Sequence, residues 1–596
     1  MTDDDVAGNG PTVTSALSTG APYVERMLLR NFRGIANCEI EFEPTMTVLA
    51  GRNNVGKSRI LSALYLALGG RPPEIDDFTV GIQAQPEVDL IVAPAPPVSN
   101  TDDDEFSTSV ARLFGDSVQS LSEEPARERI AWRTTVSPSA EGMGARADAR
   151  ILTFDARSSV WAQRSDAQLL TRTQRSILSV DLINTGRDLL DELNRRGSSI
   201  RRILSDLEIP GSQSAALEER LLDLSKSILG ESETLKSVRS ALDDLHKAVG
   251  SIGSPSLNPL PANLDELARL ISIGLDTGNG PLPMRLHGAG SRSLASLQVQ
   301  GVLYDRRLGR DGTALRPSPI TLVEEPEAHL HPQAAMELAA LLGSLQGQKV
   351  VTTHSAHLIT SVDHSSVRLL RTGKANIEVI DLGPASSLAT ATHRAFRPDL
   401  HADEIEKLKR LVERPFGELI FATAMVLGDG ATERAFLPAV IRHALGGKAH
   451  GICVVDPGSL NNELATAAVK FAQMTSTPWV LFADSDVDGQ MAVAKLLSLG
   501  HSDSTRVIWI NGVDRDGNPV DGAIESLLLQ FDEGMCRRAC LEVRPDLASQ
   551  ATLPLMKKLK GSSGASLAQH LISEYPDASV WPLPLKTLLE RLESEL

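Results

Sequence analysis

The segment Gly51-Arg52-Asn53-Asn54-Val55-Gly56-Lys57-Ser58 follows an apolar run, Thr47 to Ala50, and opens a periodic apolar stretch, Ile60 to Leu68. It matches G-x-x-x-x-G-K-[ST] in the strand-loop-helix setting that pattern requires. The glycines let backbone N–H groups converge on phosphate oxygens, so a strand must deliver the loop and a helix must leave it. Asn53, Asn54 and Gly56 are expected to line the phosphates, Lys57 to reach the β and γ phosphates, and the Ser58 hydroxyl to hold Mg²⁺. The expected cofactor is therefore ATP with Mg²⁺. The helix should end at Gly69, Gly70 and Pro72.

A second motif lies far along the chain. Ile320 to Val323 is an apolar strand ending in Glu324 and Glu325. An acid at a strand end can hold the Mg²⁺ shell and the next can polarise the attacking water, which assigns those roles to Glu324 and Glu325 in that order. Val350-Val351-Thr352-Thr353 is a further strand, placing His354 where it could sense the γ phosphate. Gly288, Gly290 and Ser291, in the turn GAGSRS before a helix over 294–303, offer donors suited to the nucleotide of a second molecule.

Between these motifs the pattern becomes helical. Leu182, Leu189, Leu193, Ile200 and Leu204, then Leu217, Leu221, Leu224 and Ile228 on the far side of Pro210-Gly211, recur at a/d-like spacing. An antiparallel helical hairpin over 166–250 is predicted, its stripe covered by self-association or by packing within the domain. Residues 251–283, rich in proline and glycine, read as a connector.

The C-terminal third carries different chemistry. Leu419 to Leu427 is apolar and leads into Asp429 and Glu433; Pro478 to Ala483 leads into Asp484 and Asp486. Two strands that each deliver carboxylates from their C-terminal ends place acids at one edge of a parallel sheet. Hard divalent cations, Mg²⁺ or alternatively Mn²⁺, suit such oxygen donors, and two of them could bind the attacking and leaving oxygens of a phosphodiester.

Composition then tests the reading. Lys plus Arg total 59 and Asp plus Glu 76, a net charge of −17, so bulk charge cannot hold nucleic acid and any contact needs a local basic strip or a metal. At 596 residues two to four domains are expected. The four cysteines form neither a zinc pattern nor a disulfide framework, which fits a reducing compartment. With no apolar stretch of roughly 18 residues and no export signal, the chain is expected to be cytoplasmic and free of membrane. Its first residues, rich in Asp, Gly, Ser and Thr, read as a disordered tail.

Taken together, the phosphate loop at 51–58, GAGSRS, the EEPEAHLHP segment from Glu324 and TTHS from Thr352 resemble the ATPase head of the ABC class, in the branch of structural-maintenance, Rad50 and RecF proteins. From Glu418 to about Leu571 the chain resembles a Toprim domain, and an ATPase head followed by Toprim resembles the OLD (overcoming lysogenization defect) family of nucleases, including Gabija-type nucleases. The fold class implied is α/β: an ABC-type head over 23–165 and 251–395, a helical dimerisation insert at 166–250, and a Rossmann-like Toprim domain over 396–596, after a tail at 1–22. The resemblance implies that Asp429, Glu433, Asp484 and Asp486 bind metal and act in catalysis. Glu525 is a further metal-site acid, with Asp521 as its competitor, and Lys560 steadies phosphate charge, with Lys557 and Lys558 as competitors. It implies an ATP-regulated DNA endonuclease acting as a homodimer or higher oligomer in anti-phage defence, with a helicase-like partner in some systems. One departure stands out: the family pattern has V-E-G where this chain has Gly428-Asp429-Gly430, withdrawing a carboxylate by about 1.5 Å. The alternative is an ATP-switched DNA-binding or assembly protein whose Toprim site is impaired. A topoisomerase would need a tyrosine nucleophile in a cleavage domain of its own, and none of the four tyrosines sits in one.

Overall fold

The computed structural model describes residues 17, 19–96, 104–121, 126–139, 144–184, 211–240, 259–261, 274–276, 281–283, 286, 295, 317–328, 330, 332–372, 376–381, 417–499, 506–510, 512–513, 519–520 and 522–595. The predicted tail up to residue 16, most of the connector, Gly288, Gly290 and Ser291 of the glycine-serine turn, Asp521 and the charged helix preceding residue 417 lie outside them.

Among the described residues, beside two small two-stranded sheets, two six-stranded ones form the frame of the N-terminal half. One is antiparallel, with neighbouring strands Ile35–Glu41, Pro22–Phe32, Glu87–Pro94 and Glu128–Pro138, and with Ala145–Ile151 paired to the last. The other runs Leu178–Asn184, Ser318–Glu324, Gln348–Thr353, Met46–Gly51, Val367–Thr372, Ile377–Asp381, parallel except for the final pair. A parallel strand covered on both faces needs a continuous apolar run, which is why MTVLAG and SPITLVE occupy its middle. The helix Lys57–Ala67 packs on strands of both sheets and supplies Ile60, Leu61 and Leu64 to the core between them. Burying such a side chain contributes about 1.5–3 kcal/mol. Gln348 ties the sheets together: its Oε1 accepts from Val24 N at 3.0 Å, and its Nε2 donates to Val24 O at 2.7 Å and Glu43 O at 3.0 Å.

The helical insert expected over 166–250 needs correction at its start. Leu178–Asn184 is a parallel strand whose Leu182 stands opposite Leu322, so Leu182 does not open a helical stripe. The alternation of LSVDLIN suits a strand, and the sheet edge it completes outweighs a spacing shared with later leucines. Helix is described at Gly211–Glu231 and again over 233–240. Leu217, Leu222 and Leu224 are exposed there.

A third sheet, wholly parallel, has the order Ile452–Val455, Ala424–Gly428, Trp479–Asp484, Val507–Ile510. Helices Ala431–Leu445, Ile524–Phe531, Glu533–Val543, Gly564–Glu574 and Leu583–Glu595 bury one side of it around Phe436, Phe482 and Trp581. The other side is covered by helices Glu463–Met474 and Val487–Leu497, and its buried cluster continues into the N-terminal half, so that Leu338, Leu342, Leu358 and Ile359 share one core with Met425, Leu427 and Leu481. The two halves expected on either side of residue 395 are therefore joined by a common apolar core.

Candidate functional site

The parallel sheet brings the first two motifs together. Glu324 stands in register with Thr352, Thr352 with Leu49, and Thr353 with Ala50, so three adjacent strands end side by side at the phosphate loop. Gly56 caps the helix at φ 115°, and a Cβ there would fall 2.6 Å from Ile377 Cδ1; only glycine fits. Asn53, Asn54, Gly56, Lys57 and Ser58 line a cavity of about 460 Å³ together with Glu325 and His354. All the described residues expected at the nucleotide thus lie at one place, with half-buried Glu324 at the neighbouring strand end.

Lys57 is buried, and its Nζ donates to Gly51 O at 2.8 Å and Arg52 O at 3.1 Å. His354 Nε2 lies 2.7 Å from Lys57 Nζ and 2.8 Å from Glu325 Oε1, so the ring accepts from the ammonium or donates to the carboxylate according to its tautomer. Burial pushes Lys57 down to about 8, against the pull of Glu325, Glu327 and Glu324. Burial, then Lys57, also lowers His354. Glu325 sits at φ 45°, unusual for a side chain of this kind, and is held there by its N–H, which donates to both Thr352 O and Thr352 Oγ1 at 3.1 Å. Glu327 escaped the sequence reading although it is the third acid in EEPE. Its Oε1 accepts from Thr353 Oγ1 at 2.5 Å and from His354 N at 2.8 Å, which fixes the backbone that carries the histidine.

The second acidic group gathers at the C-terminal edge of the third sheet. Its strand order reverses between Ala424–Gly428 and Trp479–Asp484, and a crevice forms at such a switch point. Asp429 and Asp484 leave from those two strands. Asp429 Oδ1 accepts from Leu460 N at 2.9 Å, and exposed Asp486 caps its helix by accepting from Gly489 N at 2.7 Å. Glu433 and Glu525 are buried, and Thr432, unnoticed in the sequence, donates to Glu525 Oε1 at 2.8 Å. Lys560 is exposed. Burial raises Asp484 to about 7, reinforced by Asp429, Asp486 and Glu525 and opposed by Lys560. Burial likewise raises Glu433 to about 8, with Asp484, Glu525 and Asp429 adding to it. The five expected acids and the lysine thus belong to one electrostatic cluster. Asp484 Oδ1 is buried without a hydrogen-bond partner. Among the described residues no group of three or more His, Cys, Asp or Glu side chains is in position to hold a metal ion.

These shifts predict how stability depends on pH. Both carboxyls keep their protons in the folded chain above their ordinary 3.8 and 4.5, so the folded state binds more protons than the unfolded one up to about pH 8. Stability should therefore fall as pH rises from about 4 to about 8 in chelator, and Glu433→Gln should flatten the decline. Unfolding midpoints measured across that range check it; an unchanged slope in Glu433→Gln would contradict the assignment.

A buried strand, a phosphate loop and carboxylates from the next strand but one define an ATPase domain. The chain belongs to the family described as "AAA domain, putative AbiEii toxin, Type IV TA system", whose model matches residues 46–360. Among curated proteins it is 30% identical to "Uncharacterized protein YbjD" of Escherichia coli (strain K12) over 212 residues, 35% of this chain and 33% of that one. It is 26% identical to "Endonuclease GajA" of Bacillus cereus (strain HuB5-5) over 132 residues, 19% of each. The matches thus span a third or less of these relatives. Among solved structures, the Smc head domain with an extended coiled coil bound to the C-terminal domain of ScpA, derived from Pyrococcus furiosus, is 15% identical with a TM-score of 0.34, covering 66% of this chain and all of that one. No helix among the described residues is long and apolar enough to cross a membrane.

Proposed function

We propose that the chain is an ATP-binding and ATP-hydrolysing, divalent-metal-dependent DNA endonuclease of the OLD type, in which Lys57, Ser58, Glu324, Glu325 and His354 serve the nucleotide. Asp429, Glu433, Asp484, Asp486 and Glu525 serve a Toprim metal site and Lys560 steadies phosphate charge. The observation that carries this reading is the delivery of Asp429 and Asp484 from two adjacent strand ends at a sheet switch point, where Asp484 keeps a buried oxygen without a partner. A buried, unpartnered carboxylate oxygen among like charges fits a cation. The neighbouring acids raise the proton affinity of Asp484 and Glu433, and a divalent ion, Mg²⁺ or Mn²⁺, would reverse the sign of that interaction and supply Lewis-acid activation of a phosphodiester. Asp484 and Glu433 would bind it from the strand end and the first helical turn, with Thr432 holding Glu525 in place. Similarity to a protein named as an endonuclease supports the same reading. A cytoplasmic role in anti-phage defence, assembly through the helices from Gly211 onward as a homodimer or higher oligomer, and a helicase-like partner belong to the proposal through family resemblance.

One observation favours an impaired site instead: Asp429 is the shorter acid and its Oδ1 is engaged by Leu460 N. Supercoiled plasmid incubated with the purified protein and Mg²⁺ or Mn²⁺, with and without ATP, separates the two readings and reports the sign of nucleotide control. Asp429→Glu, which restores the missing methylene, should cut at least as fast as the unmodified chain. Intact ATP turnover with no nicking by either protein would favour the ATP-switched binding or assembly role.

A further inference from the structure

We propose that the cleft between the phosphate-loop sheet and the third sheet is a second anion site, one that takes a multiply charged, phosphate-bearing small molecule of nucleotide size. Two cavities form this cleft, of about 220 and 530 Å³, and they share Arg52 and Phe421 as a common wall. Their combined size suits a small ligand rather than a single oxyanion. Neither shares a lining residue with the cavity at Lys57, Ser58 and His354.

The lining carries three arginines and a histidine. Arg52 and Arg371 come from the phosphate-loop sheet, Arg442 and His450 from the third-sheet half, and no carboxylate is among the described residues that line either cavity. In a chain of net charge −17 that is a local inversion of the overall balance. The walls are fixed by hydrogen bonds. Arg371 Nη2 donates to Thr477 Oγ1 at 2.6 Å and Ala422 O at 3.3 Å. Thr423 N donates to Gly451 O at 2.7 Å, and Thr423 Oγ1 to His450 O at 3.2 Å, which pins the turn that carries the histidine. Arg52 reaches across from the phosphate loop to that turn, and a Cβ on Gly451 would fall 3.3 Å from its Nη2.

Two guanidiniums near each other oppose one another's charge unless an anion comes between. Arg371 shows this: burial pushes it down to about 10, Glu378 pulls the other way, and Arg52 lowers it further. Arginine forks match phosphate oxygens in pairs, and two arginines at each cavity suit a ligand bearing more than one negative charge. Half-buried Phe421 offers an apolar face to the remainder of such a molecule.

The test uses the full chain carrying Lys57→Ala, which weakens the first site, in chelator so that no metal links phosphate to the acidic cluster. Calorimetric titration with inorganic pyrophosphate and, separately, with ADP should show binding in that background. Adding Arg442→Glu and His450→Gln should weaken it on the order of tenfold or more. Both replaced side chains are exposed, so the unfolding midpoint should hold, and a melt in parallel confirms it. Binding of pyrophosphate alone would assign an inorganic ligand, and binding of ADP a nucleotide. Loss of all binding with Lys57→Ala, or residual binding indifferent to Arg442→Glu and His450→Gln, would overturn the site. Because neither metal nor DNA is present, the outcome is independent of whether the chain cuts DNA.

Discussion

Asp484→Ala should abolish metal-dependent cleavage, by on the order of a thousandfold or more, while leaving the fold as stable as before or more so. The two halves of this expectation have one cause. Asp484 ends the strand Trp479–Asp484 with an oxygen that is buried and without a partner, and burial, Asp429, Asp486 and Glu525 together raise its carboxyl to about 7. Above that pH the ionised group opposes folding, so its removal relieves repulsion and breaks no hydrogen bond of Oδ1. A residue kept for structure would show the reverse, an unstable variant with activity lost through unfolding. Nicking of supercoiled plasmid in Mg²⁺ and a melt at about pH 8 should be read on the same preparation. Full Mg²⁺-dependent cleavage by Asp484→Ala would remove the metal-site assignment.

The next largest effect should come from Glu325→Gln, which is expected to slow ATP hydrolysis by about a hundredfold or more and leave nucleotide affinity little changed. Glutamine keeps the length of the side chain and loses its basicity. Glu325 is held at φ 45° by two hydrogen bonds from its own N–H to Thr352, so the backbone geometry should survive the change, with Oε1 still 2.8 Å from His354 Nε2. Lys57→Ala provides the contrast, since loss of the buried ammonium should weaken binding and hydrolysis together. Single-turnover hydrolysis beside equilibrium binding of a fluorescent ATP analogue distinguishes them. Unaltered hydrolysis in Glu325→Gln would move the water-polarising role to another residue, with Glu327, which holds the His354 backbone, the next to replace.

Much of the make-up of both candidate sites is legible in the sequence. The phosphate loop was legible because its chemistry is local: eight consecutive residues carry the glycines, the lysine and the hydroxyl, and the strand and helix flanking them are adjacent in sequence. The acids of the third sheet were legible for a related reason, since an apolar run ending in carboxylates presents them at a strand end whatever its neighbours. Leu182 shows where this fails. Its spacing to Leu189 and Leu193 suggested a helix, but pairing with Leu322 decides for strand, and nothing near Leu182 in the chain announces that partner. Glu327 and Thr432 were visible as residues and invisible as braces, because their roles depend on His354, Thr353 and Glu525 arriving beside them.

The sequence by itself thus determined the strand-loop-helix cradle, the carboxylates at two sets of strand ends and the α/β class, all consequences of backbone chemistry and apolar patterning over a few residues. Only the tertiary structure decided that the phosphate-loop half and the third sheet share one core, and that Arg52, Arg371, Arg442 and His450 line two cavities with a shared wall. These residues come from elements distant in the chain, and what sets them together is the burial of apolar faces against one another, which depends on shape and has no local signature.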